Sequence, residues 1–238
     1  MVGPFTEDCE MNKIYIPAKK PEDWKQFLAD PKHWKSGHSA MALAYCWQEA
    51  DGFPKSLKRV FKKSEIDLFQ KLDILLATPE YQVPLPGGAR PSQNGLFVLA
   101  KSKNDLITIM VEGKVSGSFG PLVSKWYKKF SKGKQKRLKF LCDILELEAK
   151  HAQGIRYQLL YRTASALIEA KSYNARNAIM LVHSFSQKNK WFGDYAQFLS
   201  MYGIDAHVNE IHNVGELGGI NLYLGWVKGE KKYLNIAG

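Results

Sequence analysis

The pattern of apolar and polar positions divides the chain into a helical first part and a second part that mixes strands and helices. Residues 37–50 and 64–76 combine large apolar side chains with few helix breakers, so both segments predict helices. Residues 83–95 are rich in Pro and Gly and predict a loop. After this loop the pattern predicts an antiparallel hairpin, with strands over residues 96–100 and 106–115.

The remainder of the chain predicts alternating helices and strands. We expect strands over 178–185 and 220–227, and helices over 121–130, 135–148, 156–170 and 191–202. This order predicts an α/β fold in which a mixed central sheet is flanked by helices. We expect one globular domain overall, with a helical N-terminal region (1–76) packed on an α/β core (77–238).

The second hairpin strand ends with an acid and a lysine two residues apart. Ile107, Ile109 and Val111 would share one face of that strand, and Glu112 and Lys114 would share the other, together with Thr108 and Met110. Burying an unpaired charge beside apolar neighbours is costly. The pair is therefore either a salt bridge within a strand or a site for a cation and a phosphate ester.

These residues resemble the PD-(D/E)xK nuclease superfamily, which has the restriction-endonuclease-like fold. The resemblance rests on Glu80 ahead of the hairpin, on Glu112-Gly113-Lys114, and on Gln158 and Tyr161 in the helix before strand 178–185. It implies Mg²⁺-dependent hydrolysis of DNA phosphodiesters in restriction or defence. In that reading Glu112, Lys114 and Gln158 are catalytic, and the metal ligands are Glu80, Asn94 and Glu112.

One departure from the family pattern leaves two functions open. The family places an acid near the start of the first hairpin strand, where this chain has Asn94, which loses the charge that a Mg²⁺ site needs. Glu80 is the candidate that compensates for it. The alternative is a catalytically inactive DNA-binding or protein-interaction scaffold of the same fold. A further alternative is a partner protein whose positive charge is incidental and whose protein interface is an aromatic-rich surface with Trp34, Trp47, Trp191 and Phe192.

Charge favours a nucleic-acid partner. The chain carries 34 basic and 23 acidic residues, a net charge of +11, and this excess favours polyanions. Residues 125–140 carry only positive charges, interleaved with aromatic residues. The alternative is an amphipathic helix pair with solvated lysines. The predicted nucleic-acid-binding residues, including one on the helix of Gln158, are Lys125, Lys128, Lys129, Lys132, Lys134, Lys136, Arg137 and Arg162.

The cysteines and the N-terminus indicate a compartment. Cys9, Cys46 and Cys142 are odd in number and far apart, so the sequence predicts no disulfide framework and favours the cytoplasm. Acids at positions 7, 8 and 10 argue against a signal peptide, and no segment has the length and apolarity of a membrane span. The expected partners are DNA and a second copy of the chain in a homodimer, without a membrane.

A histidine-containing segment near the end of the chain is a further candidate for a metal site. His207 and His212 flank a glutamate, but their spacing of five residues would not place them on one face of a helix. The sequence therefore argues against a zinc site there.

Overall fold

The computed structural model describes residues 18–50, 52–103 and 105–236. The acidic N-terminus and Cys9 lie outside these ranges. The helices are α1 (Ser39–Gln48), α2 (Lys55–Lys63), α3 (Asp67–Gln70), α4 (Val123–Tyr127), α5 (Lys132–Ile144), α6 (Tyr157–Ser172) and α7 (Phe192–Ser200). The strands are β1 (Asp73–Val83), β2 (Ser92–Ser102), β3 (Asp105–Lys114), β4 (Asn177–Ser184), β5 (Glu210–Leu217) and β6 (Ile220–Lys228).

The six strands form one mixed sheet in the order β1-β2-β3-β4-β6-β5. The β1–β2, β2–β3 and β5–β6 pairs are antiparallel, whereas β3–β4 and β4–β6 are parallel. All eight residues of β4 are buried, as is usual for a parallel strand covered on both faces. The predicted mixed α/β fold, with a central sheet flanked by helices, is confirmed.

Helices cover both faces of the sheet and create two cores. On one face, Leu141 of α5, Leu160 of α6 and Phe198 of α7 pack against strand residues that include Met110 and Met180. On the other face, the N-terminal helices pack against alternating strand residues; Leu43 and Trp47 of α1 and Leu57 and Phe61 of α2 contribute here. The N-terminal part is helical as predicted, through α1, α2 and α3.

Strand β3 has the two faces that its sequence predicts. Ile107, Ile109 and Val111 belong to the core beneath α1 and α2, whereas Met110 belongs to the core beneath α6. Thr108, on the same face as Met110, donates a hydrogen bond to the backbone of α6. Both faces are buried, so the charged end of this strand lies inside the protein.

The region before β2 is where the sequence-based assignment was wrong. Residues 73–83 form strand β1 instead of continuing a helix and entering a loop, and β2 begins at Ser92, inside the predicted loop. A bulge between Ile74 and Leu76 shifts the register, so the buried Ile74 and Ala77 are three residues apart, which is a helical spacing. Strand β5 was also missed, because most of its residues are polar and it lies at the edge of the sheet.

Two further predictions concern cysteines and membranes. Cys46 and Cys142 are buried and free, so no disulfide is present among the described residues. Within the same residues, no helix has both the length and the apolar character needed to cross a membrane.

Candidate functional site

A buried cluster of four charged and polar side chains surrounds the end of β3. Glu112 accepts hydrogen bonds at Oε1 from Gln158 at 3.0 Å and at Oε2 from Nε of Arg162 at 2.7 Å. Nζ of Lys114 lies 3.0 Å from Oε1 of Glu112. Glu112, Lys114 and Arg162 are each less than 9% exposed. The structure therefore brings together the acid and the lysine that the sequence placed on one face, and adds a second cation.

Lys114 is held in one position by several groups besides Glu112. Its ammonium donates to Oε1 of Gln158 at 2.8 Å and to the carbonyl of Ser118 at 3.1 Å. It also lies over the ring of Phe119, 4.5 Å from the ring centre, where the π-electrons attract a cation. Gln158 thus links Lys114 to Glu112 through both ends of its amide.

The charges in this cluster keep Glu112 ionised. Burial alone would raise the pKa of Glu112, but the nearby charges of Arg162 and Lys114 outweigh burial and hold the pKa below its usual value. Burial likewise opposes the charge of Arg162, and Glu112 nevertheless raises the pKa of the guanidinium. The result is a buried carboxylate flanked by two fixed cations.

Helix α6 and a glycine in β3 position the cluster. Gln158 and Arg162 are four residues apart in the first half of α6, so they lie on one face of the helix. On the opposite side of β3, α1 packs directly on Gly113, where an added Cβ atom would lie 3.2 Å from the carbonyl of Ser39. The Glu-Gly-Lys segment is therefore fixed between two helices.

A second carboxylate approaches the cluster from β1. Glu80 has a left-handed backbone (φ 49°) and accepts a hydrogen bond from Gln93 at 2.8 Å. The pKa of Glu80 is raised to about 7, first by burial and to a smaller extent by the charge of Glu112, against the lowering effects of the Gln93 hydrogen bond and the charge of Arg162. Two acids in one confined space disfavour each other's negative charge, and a cation between them would relieve this effect.

These side chains line one cavity of about 450 Å³. Its wall includes Glu80, Glu112, Lys114, Gln158 and Arg162. Tyr161, the other residue behind the family resemblance, also lines it, as do two residues from the segment before α1, Asp30 and His33. The cavity therefore contains the hydrogen-bonding groups and charges of both signs needed to bind a polar ligand.

Asn94 does not join this group. Its amide donates to the carbonyls of Tyr81 and Ser92, both at 3.2 Å, and its side chain is fully buried. Its neighbours Gln93 and Gly95 line the cavity instead, because successive residues of a strand point to opposite faces. Among the described residues, the cavity wall therefore includes Gln93, which contacts Glu80, and not Asn94. The role of Asn94 as a metal ligand stays a prediction, and its Oδ1 is buried without a hydrogen-bond partner in the same part of the chain.

The predicted nucleic-acid-binding residues divide into exposed and structural ones. Arg137 donates to the carbonyls of Leu85, Pro86 and Gly88, so it holds the loop before β2 against α5. Lys134 donates to the carbonyl of Trp126, and Arg162 is buried in the cluster. The residues whose side chains remain exposed are Lys125, Lys128, Lys129, Lys132 and Lys136.

The aromatic residues near this segment are mostly packed. Trp126 stacks on Tyr157 with ring centres 4.0 Å apart, which ties α4 to the start of α6. Phe130 is 62% exposed and is free to contact a partner. Trp47 is buried, so it does not belong to an exposed aromatic surface, and Trp34, Trp191 and Phe192 are half-buried.

Several residues of the site had no signal in the sequence pattern. Ser92 accepts hydrogen bonds from Arg162 at 3.3 Å and from Ser165 at 2.8 Å, and so supports the guanidinium from behind. Gln93 was placed in a loop, and its contact with Glu80 depends on the pairing of β1 with β2, which was not predicted. A strand assignment for residues 73–83 would have revealed both.

The fold and the cavity define a mixed α/β protein with a buried polar site at the end of its central strands. The chain belongs to a family described as a domain of unknown function, DUF6946, whose model matches residues 17–231. No curated protein and no solved structure matches the chain.

Proposed function

We propose that this protein binds DNA and hydrolyses its phosphodiester bonds at the cavity between β3 and α6. The observation that carries the proposal is that Glu112 and Lys114 protrude into one cavity, with Gln158 and Arg162 facing them and Glu80 in the same wall. This set agrees with the resemblance to PD-(D/E)xK nucleases. The proposed setting is restriction or defence in the cytoplasm, with a second copy of the chain where both strands are cut.

The donor set of the cavity fits a hard divalent cation. Mg²⁺ prefers oxygen ligands, usually one or two carboxylates together with water and substrate phosphate. Glu112 and Glu80 supply two carboxylates, and a bound cation would counter the effect of burial, which raises the pKa of Glu80. When bound, Mg²⁺ supplies polarisation of a phosphoryl oxygen and of a water molecule.

The remaining residues have roles that follow from their contacts. Gln158 and the Ser118 carbonyl hold the ammonium of Lys114, so it can orient the attacking water and offset negative charge on the phosphate. Arg162 presents a guanidinium, which matches phosphate geometry. The exposed lysines of residues 125–136 would neutralise phosphates of the bound DNA backbone.

The second candidate function is binding without cleavage. It is favoured by Arg162, which already occupies Oε2 of Glu112 at 2.7 Å while Lys114 and Gln158 occupy Oε1. In this reading the two cations balance Glu112, and the cavity binds a phosphate group without a metal. Asn94 is also absent from the described residues that line the cavity, which leaves the wall with one oxygen ligand fewer than the resemblance implies.

The test is cleavage of supercoiled plasmid in Mg²⁺ or Mn²⁺, with and without chelator. The wild type is compared with Lys114→Met and Glu80→Gln. Glu169→Gln is the matched control, because Glu169 is a buried glutamate of α6 that binds Tyr81 and does not line the cavity. We expect metal-dependent cleavage in the wild type and the control, and at least a hundredfold loss in both cavity variants.

Each other result has a defined meaning. Cleavage that Lys114→Met and Glu80→Gln leave unchanged would place the activity elsewhere and overturn the proposal. Salt-sensitive DNA binding without cleavage would support the second candidate. Absence of both binding and cleavage would overturn both functions.

A further inference from the structure

A second group of metal-binding side chains lies at the edge of the sheet, away from the cavity. Imidazole and carboxylate atoms of His207, Glu210 and His212 all lie within 4.8 Å of one another. The sequence spacing argued against a helical zinc site, but the segment is not a helix. His207 precedes a turn that leads into β5, and Glu210 and His212 are two residues apart on that strand, so they share a face.

The turn that presents His207 is fixed to the neighbouring strand. Asn209 has a left-handed backbone (φ 61°), and its N–H donates to the carbonyl of Trp226 at 2.8 Å. Its side-chain oxygen accepts from the backbone N–H of Lys228, also at 2.8 Å. The backbone of His207 donates to Nε2 of His212 at 3.2 Å, and the two rings lie nearly parallel with centres 6.3 Å apart. The backbone of the three residues is thus positioned before any ligand binds.

The hydrogen bonds around the two imidazoles bear on metal binding. A metal ion needs the lone pair of a neutral imidazole, and an ion bound at Nε2 of His212 would replace the hydrogen bond that this atom accepts from the backbone N–H of His207. Nδ1 of His207 lies 4.0 Å from Glu210, and Nε2 lies 3.8 Å from Asp205.

From this geometry we propose that His207, Glu210 and His212 form a binding site for Zn²⁺ or a similar transition-metal ion. Two imidazoles and one carboxylate are a typical ligand set for such ions, with one coordination position left for water. Bond lengths of about 2.0–2.2 Å place tetrahedral ligand atoms roughly 3.4 Å apart, so the group must contract. The side chain of His207 is 60% exposed and free to make this movement.

Such an ion would join the turn before β5 to the strand itself. β5 lies at one edge of the sheet and, among the described strands, pairs with β6 alone. An ion bound by His207 and His212 would therefore restrain both ends of the 207–212 segment, and we expect it to raise the melting temperature of the protein. This site is independent of the proposed nuclease cavity and shares no residue with it.

The test uses the full chain, stripped of metal with a chelator and titrated with Co²⁺, whose visible absorption reports coordination, followed by Zn²⁺. We expect one Co²⁺ at the histidine site of each chain, displaced by Zn²⁺ and retained in Glu80→Gln, which removes a carboxylate of the nuclease cavity where a second Co²⁺ could bind. We expect no thiolate charge-transfer band, because no cysteine belongs to the ligand set. His207→Gln and Glu210→Gln should each weaken binding at least tenfold. His151→Gln, which removes an exposed histidine elsewhere, should leave binding unchanged.

Two results would overturn the proposal. One is the absence of stoichiometric Co²⁺ binding to the wild-type protein. The other is binding that His207→Gln and Glu210→Gln do not weaken. His207 and Glu210 are exposed or half-exposed, so these variants should fold; His212→Gln, at a buried position, is interpreted only if its circular dichroism matches that of the wild type.

Discussion

The guanidinium of Arg162 lies 2.7 Å from Oε2 of Glu112 and joins helix α6 to the central strand β3. The ammonium of Lys114 lies 3.0 Å from the other carboxylate oxygen, Oε1, and completes a buried triad of one acidic and two basic residues. Buried charges depend on their partners because water does not compensate them. The triad is therefore the point at which stability and the proposed chemistry are coupled.

The first prediction concerns the order of stability losses within this triad. Glu112→Gln leaves two buried cations without an acid, so we expect it to lower the free energy of unfolding by about 3–5 kcal/mol. Arg162→Met should cost less, because Glu112 retains Lys114. The double variant Glu112→Gln/Arg162→Met should be more stable than the sum of the single losses indicates. Urea unfolding of the four proteins measures this coupling, and purely additive losses would show that the triad does not act as a unit.

Much of the fold could be predicted from the sequence. Where apolar residues recur at strand or helix spacing, they form one face of that strand or helix, and this face packs in the core. The face of β3 that carries Glu112 and the helix that carries Gln158 and Arg162 are examples. The first strand could not be predicted, because the bulge after Ile74 breaks its alternation. Gln93 was missed for the same reason, since its position depends on the pairing of β2 with this first strand.

The histidine site shows a different limit. On a helix, side chains five residues apart, such as those of His207 and His212, point in different directions. In a turn followed by a strand, the same spacing brings the two rings to 6.3 Å. The polar sequence of the edge strand gave no indication of its conformation, so the correct geometry could not be chosen.

The second prediction concerns the glycine between Glu112 and Lys114. A Cβ atom at Gly113 would lie 3.2 Å from the carbonyl of Ser39 and 3.3 Å from Cβ of Leu43, both in α1. Gly113→Ala should therefore push α1 away and lower stability by about 1–3 kcal/mol. Thermal unfolding measures the change.

The matched control is Gly193→Ala in α7, where an added Cβ has no neighbour within 4 Å. Alanine is the better helix former, so this variant should be stabilised by roughly 0.5–1 kcal/mol. Equal effects of the two substitutions would contradict a close approach of α1 to β3.

The third prediction separates exposed from structural charges in the basic segment. Lys125, Lys128 and Lys129 are exposed, so changing all three to Gln should weaken DNA binding. Each lost phosphate contact should reduce the slope of log affinity against log salt concentration by about 0.9. Fluorescence anisotropy at several salt concentrations measures the slope.

Two controls accompany this measurement. Changing Lys62, Lys63 and Lys101 to Gln removes the same charge at exposed positions elsewhere and should leave the slope nearly unchanged. Arg137→Gln should lower the melting temperature instead, because it releases three carbonyls of the loop before β2. If both lysine triples change the slope equally, net charge rather than this segment determines binding.

The fourth prediction concerns acid stability and a histidine that titrates only on unfolding. His183 is fully buried in β4, where Nδ1 accepts from Trp47 at 3.2 Å and Nε2 lies 3.1 Å from the Ser56 hydroxyl. Burial lowers the pKa of His183 to about 3. Protonating Nδ1 would also break the Trp47 hydrogen bond, which agrees with a ring that stays neutral in the folded protein.

The direction of the effect follows from proton binding. Between about pH 6.5 and pH 3 the unfolded chain binds one proton at His183 that the folded protein does not, so stability falls as the pH falls, by about 1.4 kcal/mol per pH unit. Urea unfolding at pH 7.5, 6 and 5 should show this slope in the wild type and in His151→Gln, whose histidine is exposed. His183→Gln should be less stable at pH 7.5 but should lack this part of the slope. An unchanged pH dependence in His183→Gln would show that the ring is protonated in the folded state at those pH values.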